Sequence, residues 1–200
     1  MSTFVLVHGA WHTGELFEPV AKPIREAGHT VHCPTVTGNN PGDLRTTGLD
    51  VAITSITDYI ESNDLKDVIL LGHSYGGMVI TGVADRIPGR LKRLIYWNAF
   101  VPNNGECLND MVPPHYVGMF DAVSAESSDN SVMLPFPIWR EAFINDGSSE
   151  LAQSSLGVTI TEMAPGEREK MGELSKDVWA KTLTPEQLKA WTDARAAVSK

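Results

Sequence analysis

The segment Gly72-His73-Ser74-Tyr75-Gly76-Gly77 follows directly on the apolar run of residues 68–71. Its G-x-S-x-G pattern is that of a nucleophile elbow: a buried strand ends in a sharp turn, the turn lifts one serine hydroxyl into the open, and a helix starts at once. A side chain at Gly72 or Gly76 would collide with the neighbouring strand and helix, so the small residues are a steric requirement of the turn. Ser74 then lies near a helix N-terminus, where free N–H groups receive developing negative charge. The chemistry this suits is acyl transfer. It needs an exposed hydroxyl, a base within hydrogen-bond reach, a group that orients the base, and donors for the oxyanion. Ser74 supplies the first, and the backbone N–H of Tyr75 supplies one oxyanion donor. A second donor should come from the loop after an earlier strand, and Val7-His8-Gly9-Ala10-Trp11 fits that place.

The elements that must hold these residues can be read from the pattern around them. Four apolar residues ending at a turn suit a parallel strand buried on both faces, and residues 4–7 and 68–71 both have that form. Leu16, Phe17, Val20 and Ile24 have helical spacing and stop at Gly28. A short strand over 30–33 and a polar loop over 37–42 follow. Leu49, Ala52, Ile53, Ile56 and Ile60 form an i, i+3, i+4, i+7 stripe, and Met78, Val79, Val83, Ala84 and Ile87 make a second helix face that Pro88-Gly89 ends. Residues 94–97 read as a fourth strand. Strands alternating with helices predict an α/β fold: a parallel sheet with helices on both faces.

After Val101 the rhythm breaks. The organisation expected is a core over 1–101, a lid over 102–155 and a helical tail over 156–200 that replaces or leaves incomplete the last strand–helix units. Met111, Val112, Tyr116, Met119, Phe120, Phe136 and Trp139 either line an apolar cavity or pack the lid onto the core. In the tail, residues 158–161 read as one short strand, and Thr184-Pro185-Glu186-Gln187 as a capped helix start.

Composition narrows the function classes. The chain has 200 residues, 42% hydrophobic and 20% charged, with a net charge of −9. That excess of acid argues against nucleic acid and anionic membranes as partners, since both need a basic surface. A small-molecule substrate fits better. Two cysteines, Cys33 and Cys107, do not make a disulfide scaffold, so the expected setting is the reducing cytoplasm. No two histidines have metal-ligand spacing on an expected helix, and no metal or other cofactor is called for. An edge strand at 94–97 favours pairing with another chain or with the tail, which leaves an oligomer open.

With FVLVHGAW, AGH before a strand, VILLGHSYGGMV and YWNAFVP in place, residues 3–155 resemble the α/β-hydrolase superfamily. They are most similar to the group that holds plant methyl esterases, hydroxynitrile lyases and bacterial esterase relatives. The resemblance implies a serine hydrolase of small carboxylic esters or lactones, with Ala10 N–H, alone or together with Trp11 N–H, joining Tyr75 N–H in the oxyanion hole. It also implies a chain order of serine, acid, then histidine. The one histidine after Ser74 is His115, in the presumed lid, and it is the candidate base. Glu162, just after the 158–161 run, is the candidate acid. Relatives often carry aspartate where this chain has Asn98, and an asparagine there does not stabilise an imidazolium. His8 is read as orienting the HG turn, and His73 as pointing away from Ser74. The alternatives are a non-catalytic binding protein that keeps the pocket, or a hydrolase fragment joined to foreign sequence near Ser155. The tail itself resembles the C-terminal segment of TRAP-type solute receptors.

Overall fold

The computed structural model of the protein describes residues 1–135 together with Ile138, Trp139 and Phe143. Four strands, β1 (Thr3–Val7), β2 (Thr30–His32), β3 (Val68–Ser74) and β4 (Leu91–Ala99), form a parallel sheet in the order β2-β1-β3-β4. Between them run α1 (Glu18–Glu26), α2 (Leu49–Ser62) and α3 (Gly76–Arg86), with a 3-10 turn, Gly14–Phe17, leading into α1.

Strand periodicity divides the core. Alternate side chains of a strand point to opposite faces. Val5 and Val7 of β1 and Val68 and Leu70 of β3 face α2 and α3, where they meet Ala52, Ile56, Ile60, Val79 and Val83. Leu6, and Leu71 beside it, face the other way, onto Phe17 and Ala21 at the start of α1. Helices therefore cover both faces, as the strand–helix alternation requires.

The topology also fixes where a ligand goes. The chain leaves β1 for β2 on one side, then returns across the sheet to β3 on the other. This switch opens a crevice at the carboxyl ends of β1 and β3, which is where the loop at Gly9 meets Ser74.

Two strands run longer than their apolar cores. β3 continues through Gly72 and His73 to Ser74, and β4 spans nine residues rather than four. The pairing carries polar residues along with it, because a ladder depends on backbone groups and not on hydrophobicity. Near the end of β4 the register slips: His73 pairs with Trp97 and Ser74 with Ala99, so Asn98 is an extra residue with φ +44. This is a β-bulge, and it leaves Asn98 exposed on the surface.

Beyond β4 come α4 (Leu108–Met111) and α5 (Pro114–Glu126). Phe120, Leu134 and Trp139 are buried in a third apolar cluster with Trp11, Leu108, Val112, Tyr116, Met119 and Val132. Phe136, the 158–161 run, Glu162 and the whole 156–200 tail lie outside the described residues.

Ile56 is fully buried between α2 and the sheet. Truncating it opens a cavity there, and Ile56→Ala is expected to lose about 2–5 kcal/mol of unfolding free energy in a urea titration with an unchanged m-value.

Candidate active site

Three glycines let the backbone come together at the crevice. A Cβ on Gly72 would lie 2.5 Å from the Gly76 carbonyl oxygen, and a Cβ on Gly76 would lie 2.5 Å from that of Val7. Gly9 is the third: a Cβ there would meet Ser74 Cβ at 3.0 Å and Ser74 Oγ at 3.4 Å. The 2.5 Å separations are well inside van der Waals contact, so Gly72 and Gly76 admit no side chain, and Gly9 lets the loop lie close against Ser74.

Ser74 itself has φ +54, the left-handed region that a non-glycine residue enters only under strain. Its carbonyl accepts the N–H of Phe100 at 3.1 Å, which ties the turn to the end of β4. Tyr75 then takes helical angles, φ −54 and ψ −29, and α3 begins at Gly76. The serine is thus held between a strand and a helix N-terminus.

A cavity of about 640 Å3 opens onto this turn. Ser74, Tyr75 and Ala10 share its wall. Aromatic side chains of Trp11, Tyr116, Phe120 and Phe143 make the apolar part, and Asp121 and Asn130 are among the polar groups at its edge. Of the apolar residues singled out in the sequence, Met111, Val112, Tyr116 and Phe120 line the cavity. Met119 and Trp139 instead pack in the third cluster.

The loop after β1 is held by its own histidines. His8 Nε2 accepts the N–H of Val36 at 2.9 Å. That requires the proton on Nδ1, which donates to the Gly9 carbonyl at 2.8 Å. Burial pushes the His8 pKa down from 6.5 to about 4, against a smaller upward pull from the Gly9 bond. His8 is therefore a neutral brace under the loop, in keeping with its place in the HG turn. His12 Nδ1 lies 2.6 Å from the Ala10 carbonyl, and burial also lowers its pKa. Trp11 adopts φ +60, and its indole N–H donates to the Val132 carbonyl at 2.7 Å.

The other histidines are placed elsewhere. The His73 ring packs with Phe17 and Trp97 in a three-ring cluster, with ring centroids 6.3 and 5.4 Å away. His29 Nδ1 accepts the N–H of Ser2, and His32 Nδ1 lies 2.9 Å from the Tyr59 hydroxyl. His115 sits in the first turn of α5 with its ring 4.6 Å from that of Tyr116. None of the chain's six histidines belongs to the wall of the cavity that holds Ser74. The structure thus brings Ser74, Tyr75 and Ala10 together and places His115 outside that wall, while Glu162 falls outside the described residues. Sequence reasoning did not single out the bonds of His12 and Trp11. The signal available for them was their position directly after Ala10. Among the described residues no group of three or more His, Cys, Asp or Glu is arranged to hold a metal ion, and no helix is long and apolar enough to cross a membrane.

A parallel sheet with a strained serine at its switch point, facing the loop that follows β1, is one recognisable fold class. A model of the alpha/beta hydrolase family matches residues 4–198, and the chain belongs to that family. It is similar to a carbendazim hydrolyzing esterase from Nocardioides sp. (strain SG-4G), 42% identical over 150 residues that make up 68% of this chain and 61% of the esterase. It is 30% identical over 129 residues to an alpha-hydroxynitrile lyase of Arabidopsis thaliana, covering 58% of this chain and 45% of the lyase. Among solved structures, an extracellular alpha/beta-hydrolase from a Paenibacillus species superposes with a TM-score of 0.70 at 38% identity, over 77% of this chain and 64% of that one. The chain therefore spans about three-fifths of the length of the esterase it matches.

Two outcomes follow from the loop geometry. Because His8 is neutral when folded and titrates near 6.5 when unfolded, its contribution is complete above pH 6.5 and is lost as pH falls toward 4. Wild type should lose about 3 kcal/mol more stability than His8→Asn between about pH 7 and pH 4 in urea titrations; equal losses would show that His8 does not titrate as described. Gly76→Ala forces a Cβ against the Val7 carbonyl, and should lower the unfolding free energy by about 1–3 kcal/mol or more.

Proposed function

We propose that the protein is a serine hydrolase of small carboxylic esters or lactones, with Ser74 as nucleophile. The observation that carries this reading is the cavity wall on which Ser74, at its strained φ of +54, lies beside Ala10 and Tyr75. In this mechanism Ser74 Oγ attacks the ester carbonyl, and the N–H groups of Ala10 and Tyr75 hold the resulting oxyanion. Such donors supply a large share of the acceleration in acyl transfer. His115 takes the Ser74 hydroxyl proton and passes it to the alkoxide as it leaves; it then takes a proton from the water that attacks the acyl group, and returns it to Ser74 as the acid departs. The aromatic lining, together with the esterase activity named for the Nocardioides relative, favours esters with an aromatic or other flat apolar group.

His115 is the base this reading assigns. Its neighbour Tyr116 lines the cavity, and His115 stands in the first turn of the same helix. Glu162 is the acid to go with it. The reading keeps a cytoplasmic setting, in line with two free cysteines, Cys33 and Cys107.

A second reading is favoured by the placement of the histidines. With no imidazole in the cavity wall, the pocket would serve as a receptor for an apolar small molecule and turn nothing over. An assay with 4-nitrophenyl acetate and a fluorophosphonate probe separates the two. The hydrolase reading expects labelling and turnover in wild type, and a loss of at least about 10³-fold in kcat in both Ser74→Ala and His115→Ala. Turnover undiminished in Ser74→Ala would remove the nucleophile assignment. A folded wild type that binds the ester but takes up no probe would select the receptor.

A further inference from the structure

The loop that carries Ala10 is fastened one residue after another. His8 Nδ1 bonds to the Gly9 carbonyl at 2.8 Å, and His12 Nδ1 to the Ala10 carbonyl at 2.6 Å. A carbonyl oxygen only accepts, so both imidazoles carry their proton on Nδ1. The peptide unit is planar and trans, which sets its N–H opposite its C=O. Holding the Gly9 carbonyl therefore aims the N–H of Ala10 the other way. Holding the Ala10 carbonyl does the same for the N–H of Trp11. Neither imidazole is in the cavity wall, whereas Ala10 and Trp11 both are. The side of each peptide opposite its imidazole is the side that carries the donor.

Trp11 fixes the far end of the second peptide. Its φ of +60 is a conformation the backbone would leave if free, and the indole bond to Val132, with rings of Phe120 and Phe143 5.7 and 5.2 Å away, holds it there.

We propose that His12 is a positioning residue of the oxyanion hole: its Nδ1–H bond to the Ala10 carbonyl sets the Ala10–Trp11 peptide so that the Trp11 N–H faces Ser74 as a further donor beside Ala10 and Tyr75. The proposal rests on the hydrolase reading for its catalytic consequence but not for its geometry. Without the bond, the peptide is free to turn over and present its carbonyl to the oxyanion, which repels it.

The test compares His12→Leu, which removes the donor, with His12→Asn, whose amide N–H takes the place of Nδ1–H. With 4-nitrophenyl acetate, His12→Leu should lose about 10–100-fold in kcat with little change in KM, since one oxyanion donor is worth about 10²–10³. His12→Asn should recover most of that loss. A folded His12→Leu with wild-type kcat would overturn the proposal, as would a fall in KM and kcat that His12→Asn does not repair. Crystal structures of both variants read the same point without activity. The Ala10–Trp11 peptide should be reversed or split between two orientations in His12→Leu and native in His12→Asn; a native peptide in His12→Leu refutes the positioning role. If wild type neither hydrolyses the ester nor takes the fluorophosphonate probe, the hydrolase reading fails, and the peptide orientation still decides the role of His12.

Discussion

The ends of β1 and β3 approach one another more closely than side chains permit, and the rest of the site depends on that approach. Gly72 and Gly76 each leave room for a backbone atom where a Cβ would stand, and Gly9 leaves room for the Ser74 side chain. Ser74 can rise at the head of α3 only because Gly72 lets the helix start fold back over the strand. The loop that holds Ala10 can lie against Ser74 only because Gly9 lets it. No single strong bond holds this together. The parallel ladder between β1 and β3 sets the distance, and the absence of three side chains lets it close.

Much of this was legible in the sequence, for reasons that differ from place to place. Fully buried strands are nearly uniform in hydrophobicity, so residues 4–7 and 68–71 stood out, as did the α2 stripe. The elbow was readable because its geometry excludes all but small residues at fixed spacing. The ends of β3 and β4 were not readable, since His73 and Arg93 enter the ladder through their backbones. Helix α5 hid for another reason. Its apolar residues serve two neighbours: Tyr116 and Phe120 both line the cavity and pack in the third cluster, while Met119 packs only in the cluster. A helix that answers to a cavity as well as to a core shows no single stripe. The bonds of His8 and His12 to adjacent carbonyls belong to tertiary geometry, and no periodicity announces them.

The segment after β4 and the loop after β1 share one anchor. Trp11 belongs to the third apolar cluster and to the cavity wall at once, and its indole reaches the Val132 carbonyl. Filling the cavity therefore presses on the same side chain that ends the donor loop. In this arrangement the shape of the pocket and the path of the loop after β1 are a single property of the fold.

Ser74 stands in a backbone conformation that glycine or asparagine would occupy at lower energy. A serine kept here is the less stable of the available choices. The strain held in the turn at φ +54 can be weighed by folding measurements alone, with no substrate in hand.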